Sequence, residues 1–307
     1  MPEEYKHIQL TLGDTSMKEE LGIYYIDFRD SLIHYESDFY GEKDANGIPM
    51  TGVGDAAKYY PINIAQYGLL LHAQYVAEKS ESALKKMAHC VNILCELMTT
   101  EGDTIVWRHD TYNNRFNLKP GWASAMAQGE CMSLFLRWYQ ITDDAQFLDY
   151  AQRAYAFMKI PTSEGGVRAF DEAGNLWLEE YPSPDGPSCV LNGFIYALWG
   201  LYDLYRVTRD QEVKADIDAC VQTLQNTLHQ FDVGYWSIYD QYTFELVRYY
   251  YQKNVHVPQL YVMHQLTGIP LFEQYAKKWK KTVNWRNYLL VQIMYRVLPR
   301  WRKLRGL

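Results

Sequence analysis

Apolar residues recur along most of this chain at steps of three and four, the spacing that gathers side chains on one face of a helix. The run Phe147, Tyr150, Ala151, Ala154, Tyr155 and Met158 is the clearest case, and Thr142-Asp143-Asp144 stands ahead of it with oxygen-bearing side chains suited to a helix start. Similar junctions, where a Thr or Ser closes one amphipathic run before another begins, fall at Ser80, Thr142, Thr208 and Thr267, separated by 62, 66 and 59 residues. A period that long marks stacked helix pairs. Ala65-Gln66 precedes Ser80 at the same interval as Ala127-Gln128 precedes Thr142, and Asn192-Gly193 and His256 with Gln259 hold nearby positions in the third and fourth units. Amide side chains near the same end of successive helices converge on one mouth if the hairpins close into a ring. The pattern therefore predicts a mainly α protein, an (α/α) toroid or barrel of helical hairpins, over residues 56–287.

Segments between the helix pairs change period. Gly234-Tyr235-Trp236-Ser237-Ile238-Tyr239-Asp240, running on to Tyr249-Tyr250-Tyr251, is dense in aromatic and β-branched residues and predicts a hairpin over the ring. Val106-Trp107-Arg108-His109 reads the same way, as does Gly166 to Phe170 ahead of the Glu172-Ala173-Gly174-Asn175 turn. Residues 1–55, with Gly22 to Phe28 the most strand-like stretch, predict an extended arm with short strands. Residues 288–307 are set apart as a basic amphipathic tail.

Composition narrows the class of protein. Of 307 residues 48% are hydrophobic and 22% charged, as in soluble globular chains. The 27 Tyr and 9 Trp are the unusual item: each joins a broad apolar face to a hydrogen-bonding tip, which suits both wide gaps between helices and the stacking of sugar rings. A net charge of −7 excludes a general nucleic-acid binder, which needs a broad basic surface. The charge is uneven, with ten Lys/Arg against one acid from Glu273 to the end. From Trp285 onward Leu289, Leu290, Ile293, Met294, Val297, Leu298, Trp301 and Leu304 interleave with basic residues, a pattern that fits an interfacial helix. It fits equally a last helix packed on the barrel with a solvated basic face, and a patch that gathers anionic polysaccharide. Five cysteines without regular spacing form no disulfide framework or zinc knuckle. With no signal-peptide pattern and no apolar run long enough to span a bilayer, a cytoplasmic location is expected, with the tail as a candidate peripheral contact at the inner membrane face. No metal-binding motif and no cofactor fingerprint is present, and a homodimer is left open.

The candidate chemistry lies at Leu178-Glu179-Glu180-Tyr181-Pro182, followed by a Ser/Pro/Gly turn and the apolar run Leu191-Asn192-Gly193-Phe194-Ile195-Tyr196-Ala197-Leu198-Trp199-Gly200. Two carboxylates and a phenol thus stand before a helix that opens with Asn-Gly, where a helix serving only the core would favour Ala or Leu.

These residues resemble the glucuronyl C5-epimerase family, enzymes that convert D-glucuronic to L-iduronic acid within heparan-type polysaccharides. The resemblance rests on four ordered motifs: Tyr59-Tyr60-Pro61-Ile62-Asn63-Ile64-Ala65-Gln66-Tyr67-Gly68; Pro120-Gly121-Trp122-Ala123-Ser124-Ala125-Met126-Ala127-Gln128-Gly129; Glu179-Glu180-Tyr181-Pro182 with Leu191-Asn192-Gly193-Phe194; and Ser237-Ile238-Tyr239-Asp240. It covers about residues 20 to 285. It implies a C-terminal (α/α) barrel and, by motif, catalytic roles for Glu180, Tyr181 and Tyr239. A further family tyrosine, shortly before a His-x-x-Gln-Leu stretch, falls with a one-residue shift on Tyr251, which leaves Tyr250 as the alternative. Tyr60, Gln66, Tyr67, Trp122, Gln128, Asn192 and His256 are candidate substrate-binding residues from the motifs and the predicted mouth. The family's animal members carry an arginine three residues after the Ile-Tyr-Asp tyrosine, and this chain has Tyr242 there. If that arginine holds the substrate carboxylate, Arg108, Arg168 or Arg248 must replace it, or the substrate differs. In length the chain looks like a trimmed, bacterial relative without the animal enzymes' membrane anchor.

Inverting C5 means removing a proton beside a carboxylate and returning one to the opposite face. That needs two acid/base groups flanking the ring and donors for the enediolate charge. Tyrosine ionises near pKa ~10 and carboxylic acids near ~4, so burial and neighbours must shift them toward neutral pH. The expected pairing is Tyr181 with Glu180 on one face and Tyr239 or Tyr251 on the other, acting on an anionic uronic-acid polysaccharide or oligosaccharide. The same C5 carbanion also serves a polysaccharide lyase, and a binding protein without catalysis is the remaining alternative.

Overall fold

The computed structural model of the chain describes residues 11–29 and 41–305, with side chains as far as Tyr295. Residues 1–10 and 30–40 of the expected arm, and the tail's side chains from Arg296 on, lie outside the described residues. Four helical hairpins make up the body: α1 (Pro61–Glu78) with α2 (Glu81–Leu97), α3 (Ala125–Thr142) with α4 (Ala145–Met158), α5 (Leu191–Thr208) with α6 (Gln211–Thr227), and α7 (Val257–Thr267) with α8 (Pro270–Thr282). A last helix, α9 (Trp285–Arg305), follows.

Apolar patterning sorts the two members of each hairpin. In α3 every residue from Ala125 to Arg137 is buried, and in α5 every residue from Leu191 to Leu204 is. A helix covered on all sides belongs to an inner layer. Helix α4 buries only Phe147, Ala151, Ala154, Tyr155, Phe157 and Met158, close to the periodic face read from sequence, and so belongs to the outer layer. The inner helices α3 and α5 touch through their backbones, since a Cβ on Gly200 would lie 2.4 Å from the Cα of Gly129. Any larger residue there would force the helices apart.

The hairpin turns correct the register of the repeat. Lys79, Asp143, Arg209 and Gly268 each end an inner helix in the left-handed conformation. Ser80 caps α2 by accepting from the Ala83 amide, but Thr142, Thr208 and Thr267 are the last residues of their own helices and donate to carbonyls one turn back. Asp144 and Asp210 take over the capping of α4 and α6. Counted from the left-handed residues, Gln66 corresponds to Glu130, not to Gln128.

Short β-elements join each outer helix to the next inner one, all at the end where the inner helices begin. Strands β1 (Thr11–Leu12) and β2 (Ile26–Asp27) pair in the arm. Strands β3 (Met98–Glu101), β4 (Thr104–His109) and β5 (Trp122–Ala123) form one antiparallel sheet, and β6 (Arg168–Phe170) with β7 (Leu176–Leu178) another. The third connection departs from expectation. Between Asp232 and Leu246 only isolated bridges form, and Tyr249–Tyr251 is helical, running through a wide π turn at Gln252–His256 into α7. Pro258 explains the wide turn in part: it has no N–H to give the carbonyl four residues back, so the ladder rearranges ahead of it.

At the other end of α3 and α5 the interior is polar and closed. Arg137 pairs with Asp203 at 2.5 Å, the Tyr25 hydroxyl donates to Asp203 at 2.9 Å, and Arg206 reaches Asp14 at 2.7 Å and the carbonyls of Lys18 and Glu20. This network fastens the N-terminal arm across the barrel.

Candidate active site

Strand β7 delivers Glu179 and Glu180 to the start of α5, and the two carboxylates part company there. Glu179 accepts from the amides of Ser188 (3.0 Å) and Cys189 (3.2 Å) and from the Ser188 hydroxyl, closing the intervening loop. Glu180 lies against the first turn of α5. A Cβ on Gly193 would stand 2.1 Å from its Oε2, so the Asn-Gly opening of the helix makes room for a carboxylate. The side chain is 3% exposed and has the Tyr239 hydroxyl at 3.3 Å from Oε1, with the Tyr181 hydroxyl as a second donor. Burial pushes Glu180 up to about 7, against the pull of both hydroxyls and of the Arg115 charge. Burial and the same carboxylate hold Tyr181 and Tyr239 well above the usual phenol range. At neutral pH the phenols are therefore protonated donors around an acid poised to gain or lose its proton.

The two phenols, with Glu180 behind them, line a cavity of about 310 Å³ whose wall also includes Arg115, Phe116, Arg248, Tyr251 and Tyr295. Tyr181 stacks on Phe116 with centroids 4.4 Å apart, and Trp122 backs it at 5.5 Å. Tyr251 meets Tyr239 edge to face at 5.8 Å. Arg115 is clamped by Asp240 (2.5 Å) and Glu245 (3.0 Å), and its guanidinium lies over the Tyr239 ring at 4.9 Å. Arg248 is exposed at the cavity edge and, among the described residues, no carboxylate pairs with it. Tyr242 sits on the rim, its ring 6.0 Å from Phe116 and its hydroxyl donating to Asp185 at 3.2 Å.

Tyr181, Tyr239, Tyr251 and Arg248 thus line one space, and Glu180, Trp122 and Tyr242 pack against its lining residues. Tyr60 joins them from the start of α1: burial and the Glu180 charge push it up to about 12, and it stacks on His109 at 4.4 Å. Gln66 approaches from α1 and donates to Glu130 at 2.9 Å. Other expectations need correcting. Arg108 points from the opposite face of β4 and pairs with Glu101 at 2.7 Å, because neighbouring strand residues face opposite ways. Arg168 pairs with Asp216 of the outer helix α6. Gln128 spends its amide on the Trp107 N–H and the Ile105 carbonyl, bracing strand β4. His256 is enclosed between Ser237 and Trp279, and burial pulls it down to about 3, so it is neutral. Tyr67 and Asn192 are buried in α1 and α5, and the Asn192 carbonyl accepts from Gln259.

Three residues escaped the sequence reading. Arg115 belongs to a loop turn and meets Asp240 only through the fold. His109 is the inward neighbour of Arg108 and rests between Tyr60 and Trp122. Strand alternation would have favoured it. Glu130 is wholly buried, and desolvation pushes its carboxyl well above the usual range. The signal for it was an acid inside an otherwise apolar helix.

Comparison with known proteins gives this constellation a family. A model of the D-glucuronyl C5-epimerase C-terminus matches residues 101–281. The chain belongs to that family. The D-glucuronyl C5-epimerase of Caenorhabditis elegans is 42% identical over 135 residues, 40% of this chain and 22% of that protein. An uncharacterized protein of Methanocaldococcus jannaschii is 29% identical over 180 residues, 58% of each chain. The match thus spans under two thirds of either relative. Among solved structures, a cellobiose 2-epimerase from Bacillus thermoamylovorans superposes with TM-score 0.53 at 16% identity, covering 83% of this chain and 69% of that one. A D-mannose isomerase does so with TM-score 0.55 at 8% identity, covering 83% and 68%. These likenesses establish the (α/α) barrel fold.

Proposed function

We propose that this chain is a carbohydrate epimerase that inverts C5 of D-glucuronic acid residues to L-iduronic acid in an anionic uronic-acid polysaccharide or oligosaccharide. The observation that carries the reading is Glu180: a buried carboxylate near neutrality, shared by the hydroxyls of Tyr181 and Tyr239, which line a cavity with arginine on its wall. Family membership supports it independently.

The geometry allows a closed proton cycle. One tyrosine takes the C5 proton while passing its own to ionised Glu180. The second tyrosine then protonates the opposite face and recovers a proton from Glu180, so the site returns to its starting state in either direction. Arg115, and beside it Arg248, meet the substrate carboxylate and offset the enediolate charge between the two steps. Arg115 answers the vacancy left by Tyr242, since it reaches the same Asp240–Tyr239 corner from another loop. Tyr251 holds the Tyr239 ring edge-on and borders the sugar.

Proton NMR in D2O over a panel of uronic-acid oligosaccharides tests the reading. The chain is expected to exchange C5–H for deuterium and to yield both epimers, and Tyr239→Phe should slow exchange by about 10²–10⁴-fold. An unsaturated, ultraviolet-absorbing product would instead indicate a lyase. Binding without exchange would leave only a carbohydrate-binding protein.

A further inference from the structure

Helix α9 carries an apolar face that the barrel does not cover. On one side Val291 is fully buried, Met294 and Tyr295 pack on the core, and Tyr288 meets Tyr249 at 5.2 Å. On the other side Trp285, Leu289, Leu290 and Ile293 are 68%, 50%, 39% and 56% exposed. Positions 285, 289 and 293 lie on successive turns, so the exposed residues form a stripe. Four of the ten large hydrophobic side chains exposed in the described structure fall within these nine residues, which sets the stripe apart from scattered surface apolars.

We propose that this face binds the anionic surface of a lipid bilayer, with α9 lying in the plane of the interface. Charge decides among occupants. From Glu273 to the end the sequence has ten Lys/Arg and one acid, leaving twenty Lys/Arg against thirty-six acids in the rest. Charge is therefore uneven along the chain, with basic residues concentrated in the sequence segment that carries the apolar stripe, and an anionic surface attracts that segment. Lys280 and Lys281 stand at the end of α8, just before the stripe, and no described carboxylate pairs with either. Arg286 lies over the Trp285 ring at 5.5 Å, placing a cation beside the residue type most at home at the headgroup level. A second copy docking through the same stripe would bring two basic segments together. Among the described residues no helix is long and apolar enough to cross a membrane, so the contact is a surface one. Tyr295 of the same helix borders the candidate site, so the bound surface lies beside the cavity. The proposal does not depend on the reaction assigned there.

Sedimentation of the full chain with vesicles tests it. Binding is expected to vesicles of phosphatidylcholine with phosphatidylserine, to fall with added salt, and to be weak on phosphatidylcholine alone. The variant Leu289→Ser/Ile293→Ser changes no charge and touches only exposed side chains, so it should melt like the wild type and bind about tenfold or more weakly. Lys280→Gln/Lys281→Gln/Arg286→Gln keeps the stripe and should lose affinity for the anionic vesicles while losing part of the salt dependence. Wild-type chain left in the supernatant would overturn the proposal, as would unchanged binding by Leu289→Ser/Ile293→Ser. So would a concentration-dependent dimer that this variant abolishes without any vesicle binding, which would assign the stripe to a second copy. Binding to a soluble polyanion, with vesicle binding indifferent to the serine variant, would assign the basic segment to polysaccharide instead.

Discussion

The two ends of the inner helices bury charge in opposite ways. At the far end Asp203 lies between Arg137 and Arg206, takes the Tyr25 hydroxyl as well, and is fully enclosed. Every charge there has an opposite charge in contact. At the mouth Glu130 and Glu180 are also buried, but their partners are an amide and phenols, and the guanidinium whose charge acts on Glu180, Arg115, is already held by Asp240 and Glu245. The pairing at one end fixes geometry. The neutral partners at the other leave a carboxylate free to exchange its proton near pH 7. One barrel thus uses the same residue types for fastening at one end and for acid/base work at the other.

Breaking the far end should cost most in stability. Asp203→Ala leaves the buried Arg137 guanidinium without its carboxylate, takes one of two from Arg206, and should destabilise the chain by about 3–5 kcal/mol in denaturant unfolding. C5 exchange by the folded fraction should persist. At the mouth, Gly193→Ala drives a methyl into Glu180 and should cost about 1–3 kcal/mol while displacing the carboxylate, so exchange falls further than stability does.

Glu180→Gln should move stability the other way. The folded pKa, about 7, lies above the ordinary value of 4.5, so the folded chain holds this proton more tightly than the unfolded one. Stability from Glu180 is complete below the ordinary pKa and is lost as pH rises toward 7. Glutamine carries no such loss, and the variant should be more stable than wild type by about 1–3 kcal/mol at pH 8 and nearly equal to it at pH 4, as thermal melting at the two pH values will show. The smallest expected effect is at Arg115. Arg115→Met should lower kcat about tenfold with less change in KM, because it removes one of two guanidinium groups that offset the enediolate charge and leaves the proton cycle intact.

Only the mouth's side of this contrast was legible in sequence, for reasons that can be named. Apolar periodicity located the helix hairpins, and the Asn-Gly opening of α5 suggested a helix start chosen for chemistry more than packing; in the fold Gly193 makes room for Glu180. Local pattern could not show which way a charged residue faces on a two-sided strand, so Arg108 was chosen over the inward His109. Nor could it show contacts made only by closing the ring. Arg115 and Asp240 are 125 residues apart, and nothing near Arg115 marks it. The tyrosines at 249–251 have the composition of a strand, but no partner strand forms for them, and tertiary context made them helical.

Proton exchange at C5 by the two tyrosines should depend on the mouth's carboxylate. Wild-type chain and Glu180→Gln, both folded by circular dichroism, should be incubated in D2O with a uronic-acid oligosaccharide and followed by NMR. The wild type should wash out the C5 proton, and the variant should retain it, slower by about 10³-fold or more. Exchange at the wild-type rate in Glu180→Gln would contradict the account.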